Sequence, residues 1–273
     1  MRHERWPPEW LRTGYGHVKL AQLGLGHYEK FVADEDEHAL EMARSVSDHF
    51  VATQLRDGGP HHGGWPHDFP FEHRAPLKPP WLSAMAQGQA ASLLTRMFSQ
   101  TGDERFAESA QLAMCPMHVS TKDGGVLGSI EGMPFPEEYP TSPESHVLNG
   151  AIFAAWGMHD VARSQGDPKT VDLHAVVIAG LRATCSRWDI GRWSRYDLFP
   201  YRPTNISSSF YHRLHISQFQ ALHTLYGHEE FSALAERFEQ YERRRYLRLL
   251  ALAQKVAYRL IVPRHKIDRD AST

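Results

Sequence analysis

Helical segments in this chain come in pairs, and the pairs recur at a regular interval. Apolar residues at helical spacing mark first members beginning near His17, Trp81, Ser145 and Tyr211. Second members begin near Glu37, Asp103, Lys169 and Glu229. Both series step by roughly 65 residues. Links within pairs are short, as in Thr101-Gly102 and Gln165-Gly166-Asp167-Pro168. Links between pairs, at about residues 56–80, 119–144 and 187–209, are long and rich in glycine, proline and aromatics. Hairpins with every short link at one end put every long link at the other. The spacing therefore predicts an all-α fold, an (α/α) toroid-like array of helix hairpins with long loops and short β-hairpins at one mouth. A generic helical bundle is the alternative. Long loops in a compact domain are functional or disordered, and the aromatic content argues against disorder. No long segment alternates with period two, so Val126–Ile130 and Trp193–Leu198 are the strand candidates.

This pattern divides the chain into an N-terminal arm (1–16), the helical domain (17–227) and a C-terminal helical extension (228–273). In the extension, charge is dense from Glu236 to Arg248, and Leu247 to Val262 is apolar on most sides before Pro263. Such a helix can lie on a membrane surface, or pack on the body or on a second subunit. Basic and apolar parts in succession favour packing. A homodimer and peripheral membrane contact through this helix both stay open.

Composition narrows the function classes. A net charge of −2 gives no general reason to expect nucleic acid as partner. Two cysteines, Cys115 and Cys185, make no disulfide framework and suit a reducing compartment. Met1 to Trp10 lacks the apolar core of a signal peptide, and no run approaches the ~18 apolar residues of a membrane span. The expectation is a soluble, cytoplasmic protein. His61, His62, His67 and His73 share one loop, but their irregular spacing lacks any metal-ligand pattern, so no metal is predicted. No glycine-rich phosphate loop, GxSxG or Cys/His nucleophile context is present. Nucleotide-cofactor and acyl-transfer chemistry are disfavoured, and no cofactor is expected.

The segment Phe135-Pro136-Glu137-Glu138-Tyr139-Pro140-Thr141-Ser142-Pro143 is the strongest candidate for chemistry. Proline fixes φ and restricts the preceding residue, so this loop aims its side chains. A carboxylate held beside a phenol suits proton transfer. Tyr196 and Tyr211 belong to the same predicted mouth, and His212 and His215 lie one helical turn apart. The run Ser83 to Ala90 reads either as a tight helix crossing or as a platform presenting Gln87 to a sugar hydroxyl.

Several of these stretches together resemble a known family. They are Trp81 to Ala90, Glu137-Glu138-Tyr139-Pro140-Thr141, Val147-Leu148-Asn149-Gly150, Trp156-Gly157 with Asp160, Tyr196-Asp197-Leu198, and Tyr211-His212 with His215-Ile216-Ser217-Gln218. They resemble the C-terminal region of D-glucuronyl C5-epimerases, which turn glucuronate into iduronate within heparan-type polysaccharides. Gly63-Gly64-Trp65-Pro66 and Ala21 to Tyr28 extend the likeness over roughly residues 17–226. The family's β-rich insert is missing: His27-Tyr28 runs almost directly into the next helix.

The resemblance implies a toroid, a uronate-containing oligo- or polysaccharide as partner, and catalysis by Glu138, Tyr139, Tyr196 and Tyr211. Trp65, Gln87, Asn149, Arg195, Arg202, His212, Arg213 and His215 are the expected substrate-binding residues. The implied reaction inverts C5 of D-glucuronate to the L-iduronate configuration, with Glu138 and Tyr211 as the two proton-transfer groups. Burial, supplied by neighbours such as Phe135, would raise the glutamate. Arg213, Arg202 or Arg195 would lower the phenol. A uronate lyase and a non-catalytic glycan-binding module are the alternatives.

Overall fold

The computed structural model describes residues 16–262. The N-terminal arm up to residue 15 and the C-terminal residues 263–273 lie outside the described residues. Four helix hairpins appear in order: α1 (Gly16–Asp34) with α2 (Glu37–Thr53), α3 (Ala84–Thr101) with α4 (Glu104–Leu112), α5 (Leu148–Gln165) with α6 (Pro168–Thr184), and α7 (Ser209–Tyr226) with α8 (Glu229–Arg243). A further helix, α9 (Arg245–Ile261), comes after them.

The repeat has a residue-level cause. Each first helix is closed by a left-handed residue, namely Glu35 (φ 54), Gly102 (φ 68), Gly166 (φ 68) or Gly227 (φ 70). The next residue is the N-cap of the second helix: Asp36, Asp103, Asp167 or His228. The three aspartates accept a backbone N–H from the first turn, which satisfies an otherwise orphaned donor. A two-residue corner forces the second helix back antiparallel to the first.

First members pack on one another in succession, α1 on α3, α3 on α5 and α5 on α7, and each second member packs on its own first member. The α3–α5 contact is the closest. A Cβ on Gly157 would sit 2.2 Å from the Gly88 carbonyl oxygen, and one on Gly88 would sit 2.6 Å from Ala154 Cα. The small residues of the Ser83 to Ala90 run thus serve a tight crossing, and α3 is buried along most of its length.

The long links carry two β-hairpins. Strands β1 (Phe71–His73) and β2 (Ala75–Leu77) turn at Arg74 (φ 63), while β3 (Leu127–Ile130) and β4 (Met133–Pro136) turn at Glu131-Gly132. Trp193–Leu198, expected as a strand, forms only isolated bridges. Its backbone bonds go to scattered partners: Arg195 N–H to Trp188 O, Tyr196 N–H to Asn205 O, and Leu198 N–H to Ser145 O. No single neighbouring strand offers a continuous ladder.

The last helix differs from the predicted succession of basic and apolar parts. Leu247, Ala251 and Tyr258 face the body, while Leu249, Leu252, Val256 and Leu260 face outward, with Arg248 and Arg259 between the two faces. No helix among the described residues is long and apolar enough to cross a membrane.

Candidate active site

Strand β4 runs straight into Glu137 and Glu138, and extended backbone sends consecutive side chains to opposite sides. Glu137 turns inward and is fully buried. Its carboxylate accepts the His146 backbone N–H at 3.0 Å and the Ser145 hydroxyl at 3.2 Å, and pairs with the His146 ring. Its carbonyl accepts the Ala84 N–H at the start of α3. Burial pushes its carboxyl up, against the pull of His146. Glu137 is therefore a fastener that ties the loop to the starts of α3 and α5.

Glu138 faces the other way, into the mouth, and lies flat against helix α5. A Cβ on Gly150 would come within 2.4 Å of Glu138 Oε2 and 2.5 Å of its Cβ. Only glycine leaves room for the carboxylate there. Glu138 is 6% exposed, and Oε2 is buried with no hydrogen-bond partner. Desolvation pushes its pKa up to about 7, although a hydrogen bond with Tyr139 pulls the other way. An acid so placed exchanges its proton easily at neutral pH.

The three tyrosines converge beside it. Tyr139 stacks on His73, with ring centroids 4.3 Å apart and planes 13° from parallel. Tyr196 meets Tyr211 edge-on at 4.8 Å. Burial, reinforced by the nearby Glu138, raises the Tyr196 phenol well above its ordinary value, so Tyr196 stays a proton-bearing donor. Tyr211 sits in the first turn of α7, behind the Ser208 cap.

Two cavities share Phe71, Tyr139 and Tyr211 as their common wall. One, of about 380 Å³, holds Glu138 and Asn149 among the aromatic rings of Trp81, Phe69 and Phe153. The other, of about 540 Å³, holds Tyr196 and the cationic side chains of Arg74, Arg202, Lys255 and Arg259. Helices α3, α5 and α7 all begin here, so the positive ends of their dipoles point at the mouth.

Of the expected binding residues, Asn149 and Arg202 line the cleft. Others do not. Trp65 is in the core: it is 1% exposed, its Nε1 donates to Phe50 O at 2.9 Å, and its ring meets Phe50 edge-on. The Gly63-Gly64 turn seats it there, since a Cβ on Gly63 would sit 1.9 Å from Leu112 O. Gln87 is fully buried within α3, with neither amide atom hydrogen-bonded, and it lines neither cavity.

His212 stacks on Trp193 and bridges Ser194 Oγ at 2.8 Å to Phe238 O at 3.1 Å, joining α8 to the mouth loop. His215 is buried against the same Ser194 Oγ at 3.1 Å. Desolvation lowers both rings, to about 4 and about 3, so they are neutral structural groups. Arg213 is drawn outward to Glu242 at 2.8 Å, and Arg195 Nε donates to Asp197 O. Neither lines the cavities that hold Tyr211. Phe135 stacks on Trp188 on the Glu137 side, so the desolvation of Glu138 is completed by α5 instead.

The loop histidines do not gather. Among the described residues the one group with metal-ligand geometry is Glu137, Glu144 and His146. The Glu144 oxygens there accept the Thr121 hydroxyl and the Ser129 N–H. Trp81, His73, Arg74, Lys255 and Gly150 join the site although sequence reasoning did not single them out for it. Trp81 and Gly150 lie inside the family-like motifs, which is the signal that could have found them. Arg74 and Lys255 carry no sequence signal, because tertiary packing alone brings them to the mouth.

A model of the D-glucuronyl C5-epimerase C-terminus family matches residues 58–240. The chain is similar to the D-glucuronyl C5-epimerase of Caenorhabditis elegans, 30% identical over 248 residues, covering 83% of this chain and 39% of that protein. It is also similar to an uncharacterized protein of Methanocaldococcus jannaschii, 28% identical over 170 residues, covering 60% of this chain and 53% of that one. The chain thus spans about two fifths to one half of the length of these curated relatives. Among solved structures it is similar to the cellobiose 2-epimerase of Bacillus thermoamylovorans B4167, with TM-score 0.60, 10% identity, and coverage of 82% of this chain and 59% of that one. The unsaturated glucuronyl hydrolase of Bacillus sp. GL1 matches with TM-score 0.51, 15% identity, and coverage of 86% and 62%. These structural likenesses establish the α/α toroid fold.

Proposed function

The chain belongs to the D-glucuronyl C5-epimerase C-terminus family, and on that premise we propose that it inverts C5 of a D-glucuronate residue in a glycan, to L-iduronate, without a cofactor. The observation that carries this reading is a desolvated Glu138, its pKa near 7, in one cavity with Tyr211. The C5 hydrogen is α to the sugar carboxylate. Ionised Glu138 takes that proton, and the electron pair of the C–H bond moves into the carboxylate to form an enolate. Tyr196, held protonated, and Tyr139 are the donors placed to offset the growing charge. The Tyr211 hydroxyl then delivers its proton to C5 from the opposite face, which inverts the centre. Glu138 ends protonated and Tyr211 ionised, and exchange with water resets both. The reverse direction uses the same groups in exchanged roles.

The test is deuterium incorporation at C5 when a glucuronate-containing oligosaccharide is incubated with the protein in D2O. Incorporation with the appearance of iduronate is expected. A broad panel without exchange would overturn the reading. Ultraviolet absorbance from a 4,5-unsaturated sugar would reassign the same proton abstraction to a lyase.

A further inference from the structure

The family match ends at residue 240, before α9 begins. That helix nevertheless reaches the cleft. Lys255, Tyr258 and Arg259 line the larger cavity together with Tyr139, Tyr196 and Tyr211. Lys255 is anchored to the site loop, where its Nζ donates to Asn205 Oδ1 at 2.7 Å and Ile206 O at 2.6 Å. Asn205 in turn donates to the Asp197 carboxylate at 2.6 Å, next to Tyr196. Lys255 Nζ also lies 5.7 Å from the Tyr196 ring centre. From the opposite hairpin Arg74 donates to the Tyr258 hydroxyl at 2.8 Å, with its guanidinium over the rings of Phe199 and Tyr258. Hairpin β1–β2 and the last described helix therefore close over one opening.

The two cavities differ in charge. The larger carries Arg74, Arg202, Lys255 and Arg259 against a single carboxylate, Glu72. The smaller is walled mainly by aromatic and apolar side chains. Resting on the epimerase reading above, we propose that α9 is a wall of the substrate cleft. In this arrangement Lys255 and Arg259, with Arg74, receive the carboxylate of a second uronate in the same glycan, one sugar removed from the reacting one. The reacting uronate itself lies in the smaller cavity, against Glu138 and Tyr211, with its C–H face on the aromatic rings.

The experiment uses the full chain and an oligosaccharide alternating glucuronate with N-acetylglucosamine, beside its carboxyl-reduced counterpart. Binding is measured by calorimetry at low and raised salt for the unmodified chain, Arg259→Gln, the pair Lys255→Met/Arg259→Gln, the charge-retaining pair Lys255→Arg/Arg259→Lys, and Leu260→Ala on the outward face of α9. Arg259→Gln is expected to weaken binding several-fold. The charge-removing pair is expected to weaken it by about tenfold or more and to flatten the salt dependence. The charge-retaining pair should restore most of the loss, and Leu260→Ala should bind as the unmodified chain does. Equal affinity and salt dependence in the charge-removing pair would overturn the proposal, as would equal binding of the carboxyl-reduced sugar. Deuterium exchange at C5 keeps the two readings apart. Charge-dependent binding without exchange sinks the epimerase reading alone, and exchange with charge-indifferent binding sinks the subsite alone.

Discussion

Replacing Glu138 with glutamine should make the protein more stable, and by an amount that grows with pH. The folded carboxyl has a pKa of about 7 against an ordinary value of 4.5, because the protein removes it from water. Each unit of difference corresponds to about 1.4 kcal/mol, so ionising Glu138 in the folded state costs about 3 kcal/mol. Below its unfolded pKa both states hold the proton and the cost is absent. Between the two values the folded state keeps a proton that the unfolded state has released, so stability falls as pH rises. Above the folded value the loss is complete. Glutamine keeps the shape and cannot ionise. Glu137, present in both proteins and itself raised by burial, adds to the rise at Glu138. Urea unfolding at about pH 5, 6, 7 and 8 should show the variant gaining on the unmodified chain across this range, to about 3 kcal/mol, or roughly 6–12 °C in Tm for a domain of this size. A pH-independent difference, or a gain by the unmodified chain at higher pH, would refute the desolvation argument and with it the proton-transfer role assigned to this carboxylate.

Gly150→Ala should cut turnover by about a hundredfold or more, because its methyl group occupies the space of the Glu138 side chain and misplaces the base; steady-state kinetics with unchanged circular dichroism would check this. Trp65→Ala should lose about 3–5 kcal/mol of stability as a core cavity. Trp81→Ala, at the cleft, should act on KM, and the reverse pattern in paired unfolding and kinetic measurements would contradict the placements of these two rings. Glu35→Gly should stabilise by about 0.5–1 kcal/mol in urea unfolding, since it relieves a left-handed backbone at the one hairpin corner that lacks glycine.

The hairpin order was legible because it rests on local chemistry. Gly102-Asp103 and Gly166-Asp167 are corners that write themselves into the sequence as an αL residue and an N-cap. Helix starts fell within a few residues of the observed ones for the same reason, the largest slips being Trp81 for Ala84 and Ser145 for Leu148. Glu138 over Glu137 was readable only through family likeness. Both carboxylates stand between the same prolines, and strand alternation separates them only once the packed side of β4 is known. Trp65 and Trp81 show the limit in the other direction. Each is a tryptophan in a loop of glycine and proline, and nothing local says which ring the core will claim.

The sequence alone determined the helix pairs, the common end at which the long loops gather, and the glutamate and tyrosines those loops carry. These features arise from periodicity, capping and φ preferences, which act over a few residues. The tertiary structure decided how far Glu138 is desolvated, which tryptophan lines the cleft, and that Arg74 and Lys255, distant in the chain, face one opening. Desolvation and charge clustering are properties of what surrounds a group on every side, and only the assembled fold supplies those surroundings.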